Sequence, residues 1–380
     1  MAQQVQPEGP AADVEPEVVE EDGVFDVNET AEVQPYQYAI TSFGADFPVD
    51  GLVARMDRGD IVVPSFDPEM APIPNVVGFQ RRFVWTRTQM DKFLESLLLG
   101  LPVPGIFLAN QPNNVLLVLD GQQRLGTLRD FYKGVTRGRE YRLEGVQAEW
   151  HGLRYADLDP EDRRRLDNSI IHATIVRQDE PTNDQSSIYL IFERLNTGGT
   201  ALQPQEIRVA LFRGPLVDLL RELNQDGPWR VLYGPQSKRL KDQELILRFF
   251  AFLYIGGEYA RPMKEFLNKF MGMYRNPDDS TRNEFAGIFR ATCLALADAV
   301  GDQAFRPVGP INAAVADSIM VAVARRLAAG PIRDLATLKG QYQRLIKLKQ
   351  YRELVDSSTA QEDAVRERFR LAREVIAAAK

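Results

Sequence analysis

The sequence predicts an α+β domain followed by a mainly α-helical domain. Three observations carry that expectation. Apolar runs that read as strands, such as Ile106-Phe-Leu and Val115–Leu119, are confined to the first half of the chain. From about residue 184 onward, apolar residues recur at helical spacing almost without a break. Between the two lies Asp179-Glu-Pro-Thr-Asn-Asp, a polar stretch containing a proline. The chain therefore divides into a tail at 1–35, an α+β domain at 36–180 and a helical domain at 181–380.

The tail holds ten acids and no Lys or Arg, a charge of −10, whereas the 380-residue chain carries −7. The other 345 residues therefore carry +3, and the acidic balance does not argue against a nucleic-acid or nucleotide ligand. With one aromatic residue, Phe25, the tail has too little apolar surface to offset its ordering entropy, so disorder is expected. It lacks the basic residues that a signal or transit peptide carries near its start.

The α+β domain opens with a candidate strand at Tyr36–Thr41, a short helix at Val49–Arg58 and a strand at Ile61–Val63. The proline-rich stretch Pro64 to Pro74 must be loop or extended chain. Thr86 to Leu99 reads as a helix: Thr86 and Gln89 form a capping box, and Met90, Phe93, Leu94, Leu97 and Leu98 share one face. A turn at Pro102-Val-Pro104 leads into Ile106-Phe-Leu. Val115–Leu119 is a short, fully apolar strand, and Gly121 to Tyr132 is helical. A charged helical patch (Glu161–Leu166) and a β-rich run (Ile170–Val176) end the domain. The helical domain is expected to hold helices near 185–196, 204–212, 215–224, 241–255, 262–274, 281–300, 311–328 and 357–379.

One cysteine, Cys293, excludes a disulfide framework and a Cys-rich zinc site, and two histidines leave little for a multi-His metal centre. No apolar run approaches the ~18 residues of a membrane span, so a soluble, cytoplasmic protein is expected.

Three motifs carry candidate chemistry. In Asp120-Gly121-Gln122-Gln123-Arg124 an apolar strand ends in an acid and a glycine before a helix. Backbone N–H groups at such a helix start attract anions. Arg124 would add a phosphate contact, and Gln122 and Gln123 would hydrogen-bond phosphate, sugar or base. Asp120 would hold a magnesium ion or orient a water. The ordinary alternative is that Asp120 caps the helix and pairs with Arg124. In Phe79-Gln80-Arg81-Arg82-Phe83-Val84-Trp85 two arginines lie between aromatics, suited to phosphate and base stacking or, more plainly, to a core flanked by surface arginines. In Phe192-Glu-Arg-Leu-Asn196-Thr197-Gly198-Gly199 a helix ends in a tight polar loop, a ligand contact or simply a C-cap. His151, Asn168 and His172 fit an HNH nuclease spacing only loosely. His151 has no neighbouring Asp or His, and His172 sits in a β-rich run, so structural roles are expected for both. Basic clusters at Arg163–Arg165, around Arg142, at Lys238–Lys241 and over Lys339 to Arg352 read as solvated faces.

Taken in order, these motifs and the following Leu202…Glu206-Ile207 resemble the N-terminal domain of GmrSD-type modification-dependent restriction systems. The resemblance implies a ParB/sulfiredoxin-like α+β fold followed by helices. It also implies a site that binds and hydrolyses a nucleoside triphosphate with Mg2+ in response to DNA, as in related anti-phage proteins. Asp120, Gln123 and Arg124 would then be catalytic, with Asp120 on the metal. Gln80, Arg81, Gly121, Gln122, Asn196, Thr197 and Gly198 would bind nucleotide. The restriction enzymes carry a C-terminal HNH domain, whereas this chain has no histidine after His172. The expectation is therefore a member without HNH chemistry, for which a separate effector nuclease is a candidate partner. The alternative is a non-catalytic DNA- or partner-binding sensor. Gly126-Thr127 stands where many relatives have Thr-Thr, a milder departure.

Overall fold

The computed structural model describes residues 24–25, 39–63, 85–111, 114–180, 186–195, 203–356 and 359–380. In chain order the first elements are β1 (Val24–Phe25), β2 (Ala39–Pro48), α1 (Val49–Arg58), β3 (Ile61–Val62), α2 (Arg87–Leu98), β4 (Ile106–Asn110), β5 (Leu116–Asp120) and α3 (Gln122–Lys133). A small hairpin, β6 (Val135–Thr136) with β7 (Arg139–Glu140), precedes α4 (Pro160–Asn168) and β8 (Ile170–Glu180). The chain then turns helical with α5 (Ser186–Leu195), α6 (Pro204–Leu211), α7 (Pro215–Leu223), α8 (Gly227–Tyr233), α9 (Lys241–Ile255), α10 (Met263–Met273) and α11 (Asp279–Ala299). It closes with β9 (Ile311–Asn312), α12 (Ala313–Ala328), α13 (Leu335–Lys347), α14 (Lys349–Asp356) and α15 (Glu362–Ile376). The fold is α+β with a helical continuation, as the sequence pattern predicts.

A five-stranded mixed sheet in the order β2-β8-β4-β5-β3 is the centre of the molecule. Alternation along each inner strand sends neighbouring residues into two different cores. Leu108, Val118 and Ile175 face α1 to α4, where they pack with Leu52, Leu94, Leu125 and Leu128. Ala109, Leu119 and Val176 face the other way, onto Ile188, Tyr189 and Phe192 of α5 and the helices behind it. This is why β5 reads as uniformly apolar: both of its faces are covered.

The helices of the first layer are secured by polar contacts. The Thr86–Gln89 capping box is present at α2. Asp91, fully buried on α2, accepts the backbone N–H groups of Glu144 and Gly145, each at 3.1 Å. One turn on, Glu95 accepts Gln147 N–H at 2.7 Å. Tyr132 and Tyr155 stack at 4.0 Å, and both donate to Asp167, which ties α3 to α4.

Buried ion pairs join the second layer. Arg248 of α9 grips Asp317 of α12 with Nη2 at 2.7 Å, and Arg368 of α15 lies 3.9 Å from the same carboxylate. Arg208 of α6 pairs with Glu244 of α9 at 2.7 Å and bonds Asn268 of α10.

The structure departs from the sequence reading in several places. β2 runs to Pro48, seven residues past the expected end at Thr41, held by a ten-residue antiparallel ladder with β8; residues 36–38 of the expected strand lie outside the described residues. Helices α8, α13 and α14 had not been expected. Trp229, fully buried, anchors α8 despite its Gly-Pro start. Within the acidic segment, Val24–Phe25 pair in parallel with Ile311–Asn312, a contact that composition does not disclose. Among the described residues no helix is long and apolar enough to cross a membrane.

Candidate functional site

The loop after β5 forms because three requirements meet at Gly121. Its φ of 97° lies in the left-handed region. A Cβ at this position would lie 2.4 Å from Cγ2 of Ile106 on the neighbouring strand. The chain must also turn at once from strand to helix, with Gly121 C=O accepting Leu125 N–H at 3.0 Å. No side chain caps α3, so Asp120 is not its N-cap.

Asp120 instead pairs with Arg124, one helical turn on, at 2.7 Å. The same Nη2 of Arg124 donates to Gly105 C=O at 2.9 Å, tying the guanidinium to the start of β4. Arg124 is 14% exposed and Asp120 47%. Among the described residues Arg124 Nη1 and Asp120 Oδ1 have no partner, so one edge of each charged group is open to a ligand. Arg124 Nε is buried and unpartnered among those residues. Gln122 is half-buried and makes no side-chain hydrogen bond among them.

Gln123 has a different task. Its Oε1 accepts Trp85 N–H at 3.2 Å, and its C=O accepts the Thr127 hydroxyl at 2.8 Å. Trp85 also accepts from Arg137 and packs edge-on against Phe93 at 5.6 Å. The end of the arginine–aromatic motif thus meets the Asp120 loop through Gln123. Trp85 itself is a packing residue, as its ordinary alternative held. Gln80, Arg81, Asn196, Thr197 and Gly198 lie outside the described residues.

Sequence reasoning missed a second feature at this end of the sheet. His172 Nδ1 lies 2.8 Å from Asp46 Oδ1, and both side chains are exposed. The register pairs Asp46 with His172, Ile106 with Ala173 and Phe107 with Asp120. The His–Asp pair and the Asp120–Arg124 pair therefore occupy one end of the same sheet. A Cβ at Gly105 would lie 2.7 Å from His172 C=O, so this junction needs glycine. The signal was hidden because Asp46 falls in a stretch without strand patterning. The other members of the loose HNH spacing do not join it. His151 Nδ1 bonds Glu144 C=O, and Asn168 donates to Arg164 C=O within α4. Among the described residues, no group of three or more His, Cys, Asp or Glu side chains is placed to hold a metal ion.

Several of the basic clusters are occupied locally. Arg142 and Arg154 pair with Glu140 and Asp157, and Arg165 with Glu161 and Asp162. The Arg154 guanidinium holds the Asp157 carboxyl down to about 2.

An anion-ready helix start, entered from a strand and walled by an arginine, matches the ordered motifs of the sequence. The family model of the GmrSD restriction endonuclease N-terminal domain matches residues 71–213. Residues 71–213 belong to that domain family. The GmrSD N-terminal match takes in α2 to α6, with β4, β5 and β8, and ends at the residue before Gly214. It thus runs from the first helical layer through the sheet into the second. β2, α1 and β3 precede it, so Asp46 lies outside the matched segment while Asp120, Arg124 and His172 lie within it. The matched domain is one described from a restriction endonuclease. No curated protein matches it.

Proposed function

We propose that this chain is a cytoplasmic, restriction-associated defence protein that binds and hydrolyses a nucleoside triphosphate in response to DNA. The observation that carries the reading is the α3 start: no side chain caps it, and Arg124 is locked beside it with Nη1 unengaged. Backbone N–H groups at a helix start and a fixed guanidinium beside them would stabilise phosphate charge without reorganisation. Asp120 Oδ1 fits a magnesium ion bound through one carboxylate and the ligand's own phosphates. Bound there, the ion would neutralise charge on the phosphoryl oxygens. Gln122 remains to orient a water or a sugar hydroxyl, while Gln123 positions the loop against Trp85.

One contact favours a second reading. The Asp120 carboxylate is already engaged by Arg124, which suits a binding module that recruits a separate effector nuclease without turnover. Phosphate release separates the two. It is measured for each nucleoside triphosphate with Mg2+, with and without plain or modified DNA. Turnover that rises with DNA supports the enzyme. Nucleotide or DNA binding without release above background supports the sensor. DNA affinity that does not fall with salt would remove phosphate gripping from either reading.

A further inference from the structure

The opposite end of the sheet holds a second cationic site. There a pocket of about 370 Å³ opens between Val62 and Leu117 on the strands and Arg213, Arg221 and Arg275 on the helical side. Arg213 follows α6 and Arg275 follows α10, 62 residues apart. Their backbones are laced together: Arg275 Nε donates to Arg213 C=O at 2.8 Å, and Leu216 N–H to Arg275 C=O at 3.3 Å. A Cβ at Gly214 would lie 2.7 Å from Arg275 C=O, so glycine is required where the two segments touch.

The charge here is not balanced. Asp218 lines the pocket, but it pairs with Arg221 at 3.1 Å. Among the described residues neither Arg213 nor Arg275 has an ion-pair partner, and the Arg213 side chain makes no hydrogen bond. Both guanidiniums are half-buried. Burial, and then the Arg275 charge, pull the Arg213 pKa down; burial does the same to Arg275. Two cations held close together out of full solvent repel each other; Asp218 offsets less of this than Arg275 adds, and a bound anion would relieve it.

We propose that this pocket binds a small phosphate-bearing anion, pyrophosphate or the phosphates of a nucleotide, between Arg213 and Arg275. A small ligand fits better than duplex DNA, because the arginines sit inside a recess walled by strands and helices rather than on a projecting face. Forked guanidiniums suit phosphate oxygens. The site is separate from the Asp120 loop. It begins at Val62, Val115 and Leu117, whereas Asp120 lies at the far end of β5.

The test uses the full chain carrying Arg124→Ala, so that the Asp120 loop does not contribute. Calorimetry with sodium pyrophosphate, AMP and a short duplex, together with thermal melting, gives the readout. Saturable pyrophosphate binding that raises the melting temperature is expected. AMP distinguishes a nucleotide site from one for inorganic anions. Adding Arg213→Gln should weaken binding about tenfold or more, the worth of one charge-assisted contact. It should not lower the melting temperature without ligand, since its side chain makes no hydrogen bond or ion pair among the described residues and like-charge repulsion with Arg275 is relieved. Arg213→Lys should retain part of the affinity. Absence of saturable binding, binding unchanged by Arg213→Gln, or binding of the duplex alone would overturn the proposal. Loss of pyrophosphate binding on Arg124→Ala alone would overturn it too, assigning the anion to the Asp120 loop instead.

Discussion

Gly121 and Glu95 show how single residues set the site and its support. Gly121→Ala places a methyl group 2.4 Å from Ile106 Cγ2 in a backbone region that favours glycine. A loss of about 3 kcal/mol is expected in urea unfolding, with phosphate release falling alongside. Unchanged stability would mean the turn is not fixed as described. Glu95 responds to pH. Lys92 and the Gln147 N–H hold its carboxyl below 4.5, outweighing the opposing effect of burial. A lowered folded value means that the carboxylate stabilises the fold at neutral pH. That contribution is lost as pH falls below 4.5, through the folded value. The melting-temperature gap between wild type and Glu95→Gln should be widest near neutrality and close in acid. A gap that widens in acid would reverse the assignment. At this scale the site was partly legible. The four-residue spacing of Asp120 and Arg124 on a helix start made their pairing foreseeable. The Arg124–Gly105 and Gln123–Trp85 contacts span 19 and 38 residues and leave no local trace.

Among the elements, legibility followed burial. β5 and α2 declare themselves because a strand covered on both faces is uniformly apolar and a capped helix carries its own start signal. The second half of β2 does not, since Gly44, Asp46 and Pro48 are poor strand formers and none of its residues is fully buried. Pairing with β8 holds it instead. α13 and α14 were masked by their charge: the stretch from Lys339 to Arg352 reads as a basic cluster, although Leu338, Tyr342, Leu345 and Tyr351 are buried beneath it. Contacts between elements are hardest to foresee. The Arg248–Asp317–Arg368 group joins α9, α12 and α15 across 69 residues on one side alone. Removing its single negative charge with Asp317→Asn leaves two buried arginines facing each other. A loss of about 3–5 kcal/mol is expected in urea unfolding. Arg368→Met, which leaves the closer Arg248–Asp317 pair intact, should cost clearly less. Equal losses would show that the three charges do not act as described.

For the whole molecule, one sheet serves two cores, and its two ends carry arginines in different settings. The end at Asp120 joins a helix start to one fixed arginine; the other sets Arg213 and Arg275 near each other, with the nearby Asp218 paired to Arg221. The −7 net charge conceals this, because ten acids gathered before residue 36 outweigh a positive body. Which end performs chemistry is the central question, and the proposed reaction belongs to the end at Asp120. Its most direct test is Mg2+-dependent phosphate release by wild type, Asp120→Asn and Arg124→Ala, each with its preferred triphosphate and DNA. The substitution at Asp120 keeps the side chain's shape while removing its charge, so the fold should persist in melting experiments. Release by wild type, reduced at least a hundredfold in both variants, is the expected result. Equal release by all three proteins would contradict the site, and no release by wild type despite tight nucleotide binding would contradict the enzyme.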